Sequence, residues 1–135
     1  MIGLDTNILL RALTADDPRL SPVAAEILAQ LTPEAPGYIN VAVLAELCWT
    51  LTRRYRASRA DLMQVIETLL ESPAYVISDR EAVIDALEVM AVEPLDFVDA
   101  LIGGLNRRAG CAQTFTFDAK AARSGLFQDA LAGRP

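Results

Sequence analysis

Residues 1–10 read MIGLDTNILL, and the only charged side chain among them is Asp5. Residues 2–4 are typical of a short buried strand, and Thr6 is a suitable N-cap for a helix over residues 7–14. Charged side chains are rarely buried unless they are paired or bind a metal. The stretch therefore predicts a strand whose carboxyl end carries an acid with a special role.

Further along the chain, strand-like and helical segments alternate. Strands are predicted at residues 38–39 and 74–77 and in a β-rich run at 111–117, with helices between and after them. The predicted helix caps are Ser21, Asn40, Ser58 with Asp61, Ser78 with Glu81, and Asp118. Strands that alternate with helices indicate an α/β fold with a parallel sheet and right-handed crossovers.

Chain length, net charge and composition limit the functions that this chain can have. A chain of 135 residues fits one domain, so residues 1–135 are expected to form a single unit. The net charge of -6 argues against a general basic nucleic-acid binder, although a metal-loaded acidic site attracts phosphate locally. The lack of histidine and of a CxxC pair argues against a zinc site, and the lack of histidine excludes histidine-based catalysis. Carboxylates must therefore carry any metal or acid–base chemistry.

The sequence also carries signals about location. No apolar run is long enough to cross a bilayer, and the N-terminus lacks the features of a secretory signal, so the expected compartment is the cytoplasm. Hydrophobic residues make up 53% of the chain and the mean hydropathy is +0.28, values that favour a subunit interface or a partner surface.

Five more acids stand alone in an uncharged stretch, as Asp5 does: Glu46, Asp99, Asp118, Glu26 and Asp129. The last two have no predicted strand beside them and fit the solvent-facing side of an amphipathic segment. By contrast, Asp5 and Asp118 directly follow strand-like runs, and Glu46 and Asp99 lie near predicted helix starts. In open parallel sheets these positions share one edge, where sites form. Clustered carboxylates repel one another, and oxygen ligands suit Mg²⁺ or Mn²⁺. These four acids therefore predict a divalent metal site.

Each acid taken alone has a simpler explanation. Asp5 can make a favourable charge interaction with a helix N-terminus, and Asp118 can cap the short helix that follows it. Glu46 can be a solvent-facing helix residue. Asp99 has Asp96 three residues before it, and both fit a favourable interaction with the helix dipole. The metal interpretation depends on the conjunction of all four.

Four blocks of the sequence resemble the signature blocks of PIN-domain nucleases, in family order and at family-like spacing: MIGLDTNILLRAL, VLAELCWTL, DFVDALIGGL and TFTFD. The subgroup that they resemble most is the VapC-type ribonuclease toxins of type II toxin–antitoxin modules. The resemblance implies a three-layer α/β/α sandwich around a central parallel sheet of four to five strands. It also implies Mg²⁺- or Mn²⁺-dependent RNA cleavage, a homodimer, and neutralisation by a cognate VapB-type antitoxin.

The resemblance carries site residues onto this chain. Asp5 and Asp99 match direct metal ligands, Glu46 and Asp118 complete the set, and metal-activated water attacks the scissile phosphate. Asp96 is a further ligand candidate or a residue behind the ligands, and Thr6, Asn7 and Thr116 match supporting polar positions. The candidates for contact with RNA or the antitoxin are Arg11, Arg53, Arg54, Arg107 and Arg108, each of which is also readily explained as a solvated side chain.

Two other functions remain open at this point. Another metal-dependent phosphoryl hydrolase is one alternative, although a haloacid-dehalogenase-type phosphatase would need an acid where Asn7 stands. A non-catalytic protein-binding module is the other, and it predicts no metal uptake. Trp49 lies on an apolar helix, where a tryptophan is more often in the core than at an interface.

Overall fold

The computed structural model describes residues 1–132, and its alternating helices and parallel strands confirm the α/β class. The chain divides into two compact units, Met1–Asp79 and Arg80–Pro135, the second described as far as Ala132. None of the described helices combines the length and the apolar character needed to span a membrane.

The first unit holds a parallel sheet of three strands in the order β1-β2-β3. Gly3 pairs with Tyr38, and Ile39 pairs with Ile77, so all three strands end at the same edge. Its elements are β1 (Ile2–Gly3), α1 (Thr6–Thr14), α2 (Leu20–Ala29), β2 (Gly37–Ile39), α3 (Val41–Tyr55), α4 (Arg59–Glu71) and β3 (Tyr75–Ile77).

The second unit holds helices that pack together and a small sheet. Its elements are α5 (Arg80–Val92), α6 (Phe97–Arg108), β4 (Phe115–Thr116), α7 (Ala119–Ala122) and β5 (Gln128–Asp129). Helix α5 packs along α6, and β4 pairs with β5 in parallel. A central sheet of four to five strands was expected. Residues 1–132 contain five strands, of which three form one sheet and two form another.

Three of the predicted helix starts are confirmed, and the Asp118 cap of α7 is one of them. The Asn40 side chain accepts a hydrogen bond from Val43 N at 3.0 Å and begins α3. Ser58 and Asp61 form the predicted capping box of α4, with distances of 2.8 and 3.1 Å. The hydrogen bonds from Ser58 hold the pKa of the Asp61 carboxyl below its usual value.

Three predicted caps were wrong. Helix α1 is capped by Asp5, whose Oδ1 accepts a hydrogen bond from Thr6 N at 2.8 Å, so Thr6 is the first helical residue. Helix α2 begins at Leu20, with the Asp17 carboxylate accepting from Leu20 N at 2.8 Å, and Ser21 lies inside the helix. Ser78 accepts a hydrogen bond from Val41 N at 3.0 Å, which is a long-range contact and not a local cap.

Close packing explains one glycine in the first unit. A Cβ atom at Gly37 would lie 2.7 Å from Leu4 Cδ1 and 2.8 Å from Leu31 Cδ1. The absence of a side chain at Gly37 therefore lets Leu4 and Leu31 approach the strand closely. The core of this unit is almost fully shielded from water at Leu9, Leu10, Ile39, Leu44, Leu47 and Ile66.

The two cysteines are expected to differ sharply in reactivity. Burial raises the pKa of the Cys48 thiol from 9.0 to about 12, whereas Cys111 is exposed. Because the thiolate is the reactive form, iodoacetamide at pH 8 is expected to label Cys111 alone in the folded protein and both thiols in denaturant. Mass spectrometry of the adducts measures this; rapid double labelling of folded protein would contradict it.

The same pKa shift makes the stability of the protein depend on pH. The part of the unfolding free energy that comes from keeping the Cys48 thiol neutral is fully present below pH 9 and is lost as the pH rises towards 12.

Candidate functional site

The carboxyl edge of the three-stranded sheet carries a row of polar side chains. Asp5 follows β1, Asn40 follows β2 and Ser78 follows β3. Each accepts a backbone hydrogen bond at a helix start: Asp5 from α1, and Asn40 and Ser78 both from α3. The same side chains that end the strands therefore orient two helices that contact each other.

Two of the predicted acids belong to this first unit. Asp5 is exposed, and one of its carboxylate oxygens caps α1. Glu46 lies on the second turn of α3, is exposed, and accepts no hydrogen bond within residues 1–132. Asp5 thus takes the capping role that the sequence assigned to Thr6, and its second oxygen is left for another partner.

The other predicted acids lie in the second unit, where the structure brings three of them into electrostatic contact. Asp99 is half-buried on the first turn of α6, and its carboxylate accepts no hydrogen bond among the described residues. Burial raises the pKa of Asp99, and the charges of Asp96 and Asp118 raise it further, while Lys120 partly offsets them. The surroundings of Asp99 therefore disfavour its charged form, and Lys120 only partly offsets this effect.

Asp118 has a second task in the same unit. It caps the short helix α7 through hydrogen bonds from Lys120 N at 2.9 Å and Ala121 N at 3.3 Å, both to Oδ1. Thr116 Oγ1 accepts a hydrogen bond from Asp118 N at 3.0 Å and so fixes the backbone of this acid. Asp96 occupies the N-cap position of α6, but its side chain makes no capping hydrogen bond.

The donor chemistry of these acids fits a hard divalent cation. Carboxylate oxygens that carry no hydrogen bond, as in Glu46, Asp96 and Asp99, are the ligands that Mg²⁺ and Mn²⁺ take. A cation would also relieve the repulsion that the Asp99 carboxylate experiences. Among the described residues, however, no group of three acidic or cysteine side chains is already arranged to hold a metal ion.

The remaining predicted residues differ in their surroundings. Thr6 is buried, whereas Asn7 is exposed and its side chain makes no recorded hydrogen bond in residues 1–132. Arg11 pairs with Asp16 at 3.5 Å, and its Nε is buried without a hydrogen-bond partner. The two predicted supports, Thr6 and Asn7, therefore differ in exposure, and Arg11, a predicted partner contact, already pairs with an acid.

The other candidate arginines also separate into two kinds. Arg108 pairs with Asp85, with Nε 3.1 Å from Oδ2, and Arg107 donates to Gly125 O at 3.3 Å. Arg53 and Arg54 are exposed and form no ion pair within residues 1–132. The arginines of α6 are thus already engaged, whereas those of α3 remain available to an anionic partner.

Trp49 is not a core residue, and the preference for the core was wrong. Its side chain is 56% exposed on α3, and the Arg53 guanidinium lies 5.5 Å from the ring centroid. The buried side of α3 is formed by Val43, Leu44, Leu47, Cys48, Thr50 and Leu51. At 3.6 residues per turn, residue 49 lies on the side of the helix opposite to these positions. The apolar composition of the helix favoured the core, but the periodicity of its buried residues predicts an exposed Trp49.

Known proteins resemble this chain over most of its length. A curated relative, the VapC ribonuclease of Aquifex aeolicus (strain VF5), is 20% identical over 124 residues, which is 91% of each chain. The crystal structure of Mycobacterium tuberculosis VapC20, described as a toxin that cleaves the sarcin–ricin loop, is 22% identical, with a TM-score of 0.45 and coverage of 93% of this chain and 95% of that one. The PIN domain family profile matches residues 2–125. Because this match spans most of the sequence and contains all four acids of the predicted metal site, the chain belongs to the PIN domain family.

Proposed function

We propose that this chain is a divalent-metal-dependent endoribonuclease, a VapC-type toxin that hydrolyses phosphodiester bonds in RNA. PIN domains generally depend on a divalent metal, and the curated relative is named as a ribonuclease. The observation that carries the proposal is the state of Asp99: half-buried, without a hydrogen bond, and repelled by two neighbouring carboxylates. Such a group is costly to keep charged unless a cation binds it.

The proposed metal-holding residues are Asp5, Glu46, Asp99 and Asp118, with Asp96 as a further ligand or a residue behind the ligands. When bound, Mg²⁺ or Mn²⁺ supplies an activated water and neutralises charge on the scissile phosphate. Asp5 and Asp118 each keep one oxygen on a helix N-terminus, so their orientation is fixed before any ligand arrives. Thr116 does the same for the backbone at Asp118.

The remaining parts of the proposal concern organisation and partners. Both compact units together form one nuclease domain, since a single family match runs through both. The protein acts as a homodimer in the cytoplasm and is neutralised by a cognate VapB-type antitoxin. Exposed apolar side chains support a protein partner, among them Leu13, Val23 and Val92.

One assay set tests the function. Purified protein is incubated with a structured RNA in Mg²⁺, in Mn²⁺ and in EDTA, and in parallel with p-nitrophenyl phosphate. We expect RNA cleavage in the presence of metal only and no hydrolysis of the simple ester. Turnover of the ester without RNA cleavage would instead support a small phosphatase. Absence of Mn²⁺ uptake in titration calorimetry would support a non-catalytic binding module.

A further inference from the structure

Helix α3 presents one continuous exposed stripe along its length. At 3.6 residues per turn, positions 42, 46, 49 and 53 recur on the same side, and all four are exposed. Trp49 lies about 4.5 Å along the helix axis from Glu46, and Arg53 about 6 Å further on. The stripe therefore leads from a proposed metal-holding acid to an aromatic ring and then to a guanidinium.

Trp49 combines a large exposed ring with a cation at its face. The side chain is 56% exposed, and Arg53 lies 5.5 Å from the ring centroid, within cation–π range. This contact orients the indole while leaving much of its surface in water. Exposed aromatic rings that are backed by arginine are the platforms on which unpaired nucleic-acid bases stack.

The charges at the end of α3 complement a nucleic-acid backbone. Arg53, Arg54 and Arg56 form no ion pair within residues 1–132, although the whole chain has a net charge of -6. The acid recorded near this helix end, Asp16, is already engaged by Tyr55 at 2.9 Å and by Arg11. A local basic cluster on an acidic protein favours a phosphate-bearing partner at this point.

From these observations we infer that Trp49 stacks against an unpaired RNA base next to the cleaved phosphate, with Arg53 contacting the backbone. The inference rests on the proposed ribonuclease function and adds to it a residue that contacts the substrate. In double-stranded RNA each base is already stacked on its neighbours, so a duplex offers no free face to the indole. Trp49 is thus a specificity-determining residue that takes no part in the chemistry itself.

The chain offers a direct optical test, because Trp49 is its single tryptophan. In EDTA, a non-cleavable 2′-O-methyl oligoribonucleotide of about eight nucleotides is titrated while tryptophan fluorescence is recorded. We expect saturable quenching by the single strand and little or none by the same sequence in a duplex. Arg53→Gln should weaken the quenching, whereas Arg19→Gln, which removes an exposed arginine from the start of α2, should not.

Kinetics with metal and a loop-containing RNA complete the test. Loss of one base–aromatic stack should raise KM about tenfold or more in Trp49→Ala, with kcat nearly unchanged and partial rescue by Trp49→Phe. If wild type cleaves RNA but shows no quenching and Trp49→Ala keeps its KM, the inference fails while the nuclease stands. If Trp49→Ala instead abolishes self-association in sedimentation and leaves KM unchanged, the face belongs to a protein interface and the inference is overturned. If wild type neither cleaves nor binds RNA, both proposals fall.

Discussion

Asp99→Asn is expected to reduce metal-dependent RNA cleavage by about 10²–10⁴-fold while leaving the fold intact. A bound metal stabilises transition-state charge by several kcal/mol, and each ~1.4 kcal/mol is a factor of ten in rate. Asparagine keeps the shape of the side chain but removes the charge that holds the cation. Initial rates on RNA in saturating Mn²⁺, with Mn²⁺ affinity from titration calorimetry, measure the effect.

The same substitution is expected to leave metal-free protein as stable as wild type or more stable at neutral pH. The folded-state pKa of Asp99 is raised, chiefly by burial and next by Asp96 and Asp118. Its charged form therefore opposes folding, and that penalty disappears as the pH falls below the usual carboxyl range. The melting-temperature gap between variant and wild type should accordingly narrow from pH 7 towards pH 4.

A matched control separates the site from the loss of one negative charge. Glu88→Gln removes an exposed carboxylate from α5 in the same unit and should leave both cleavage and Mn²⁺ affinity close to wild type. Cleavage by Asp99→Asn at a wild-type rate would remove Asp99 from the ligand set. Equal losses in the two variants would mean that net charge, and not a site, governs activity.

Local signals in the sequence predicted the elements that local contacts determine. The Asn40 cap and the Ser58–Asp61 box each join residues three apart, so the sequence pattern contains the whole interaction. Ser78 carries the same capping signature with Glu81, yet its hydroxyl accepts from Val41 N, 37 residues away. A tertiary partner outcompeted the local one, and no sequence window of helical length contains that partner.

Strand β5 and the exposure of Trp49 were missed for different reasons. Gln128 and Asp129 form a strand of two half-buried polar residues, too short to show any alternation of apolar and polar side chains. Helix α3 has apolar residues on several sides, so its composition hides which side meets the core. The four acids of the predicted metal site were found from the sequence because their uncharged surroundings are a local property, but the hydrogen-bonding state of each carboxylate depends on the fold.

Asp5 allows the sharpest separation of a structural role from a catalytic one, because its carboxylate both caps α1 and is proposed to hold the metal. Asparagine is as good an N-cap as aspartate, so Asp5→Asn should keep the hydrogen bond from Thr6 N and lose the metal ligand. We expect cleavage to fall by about 10²-fold or more with stability little changed. Asp5→Ala should lose as much activity and also about 1 kcal/mol of unfolding free energy.

The pair of variants decides between the two explanations of this acid. Urea unfolding gives the stability of each variant, and RNA cleavage in Mn²⁺ gives its activity. A residue that only caps the helix would leave Asp5→Asn active and stable, and activity would fall only with stability in Asp5→Ala. A metal-holding residue makes both variants inactive but only one of them less stable. Because the oxygen that accepts from Thr6 N is chemically preserved in asparagine, loss of cleavage in a stable Asp5→Asn protein points to the charge of Asp5 alone.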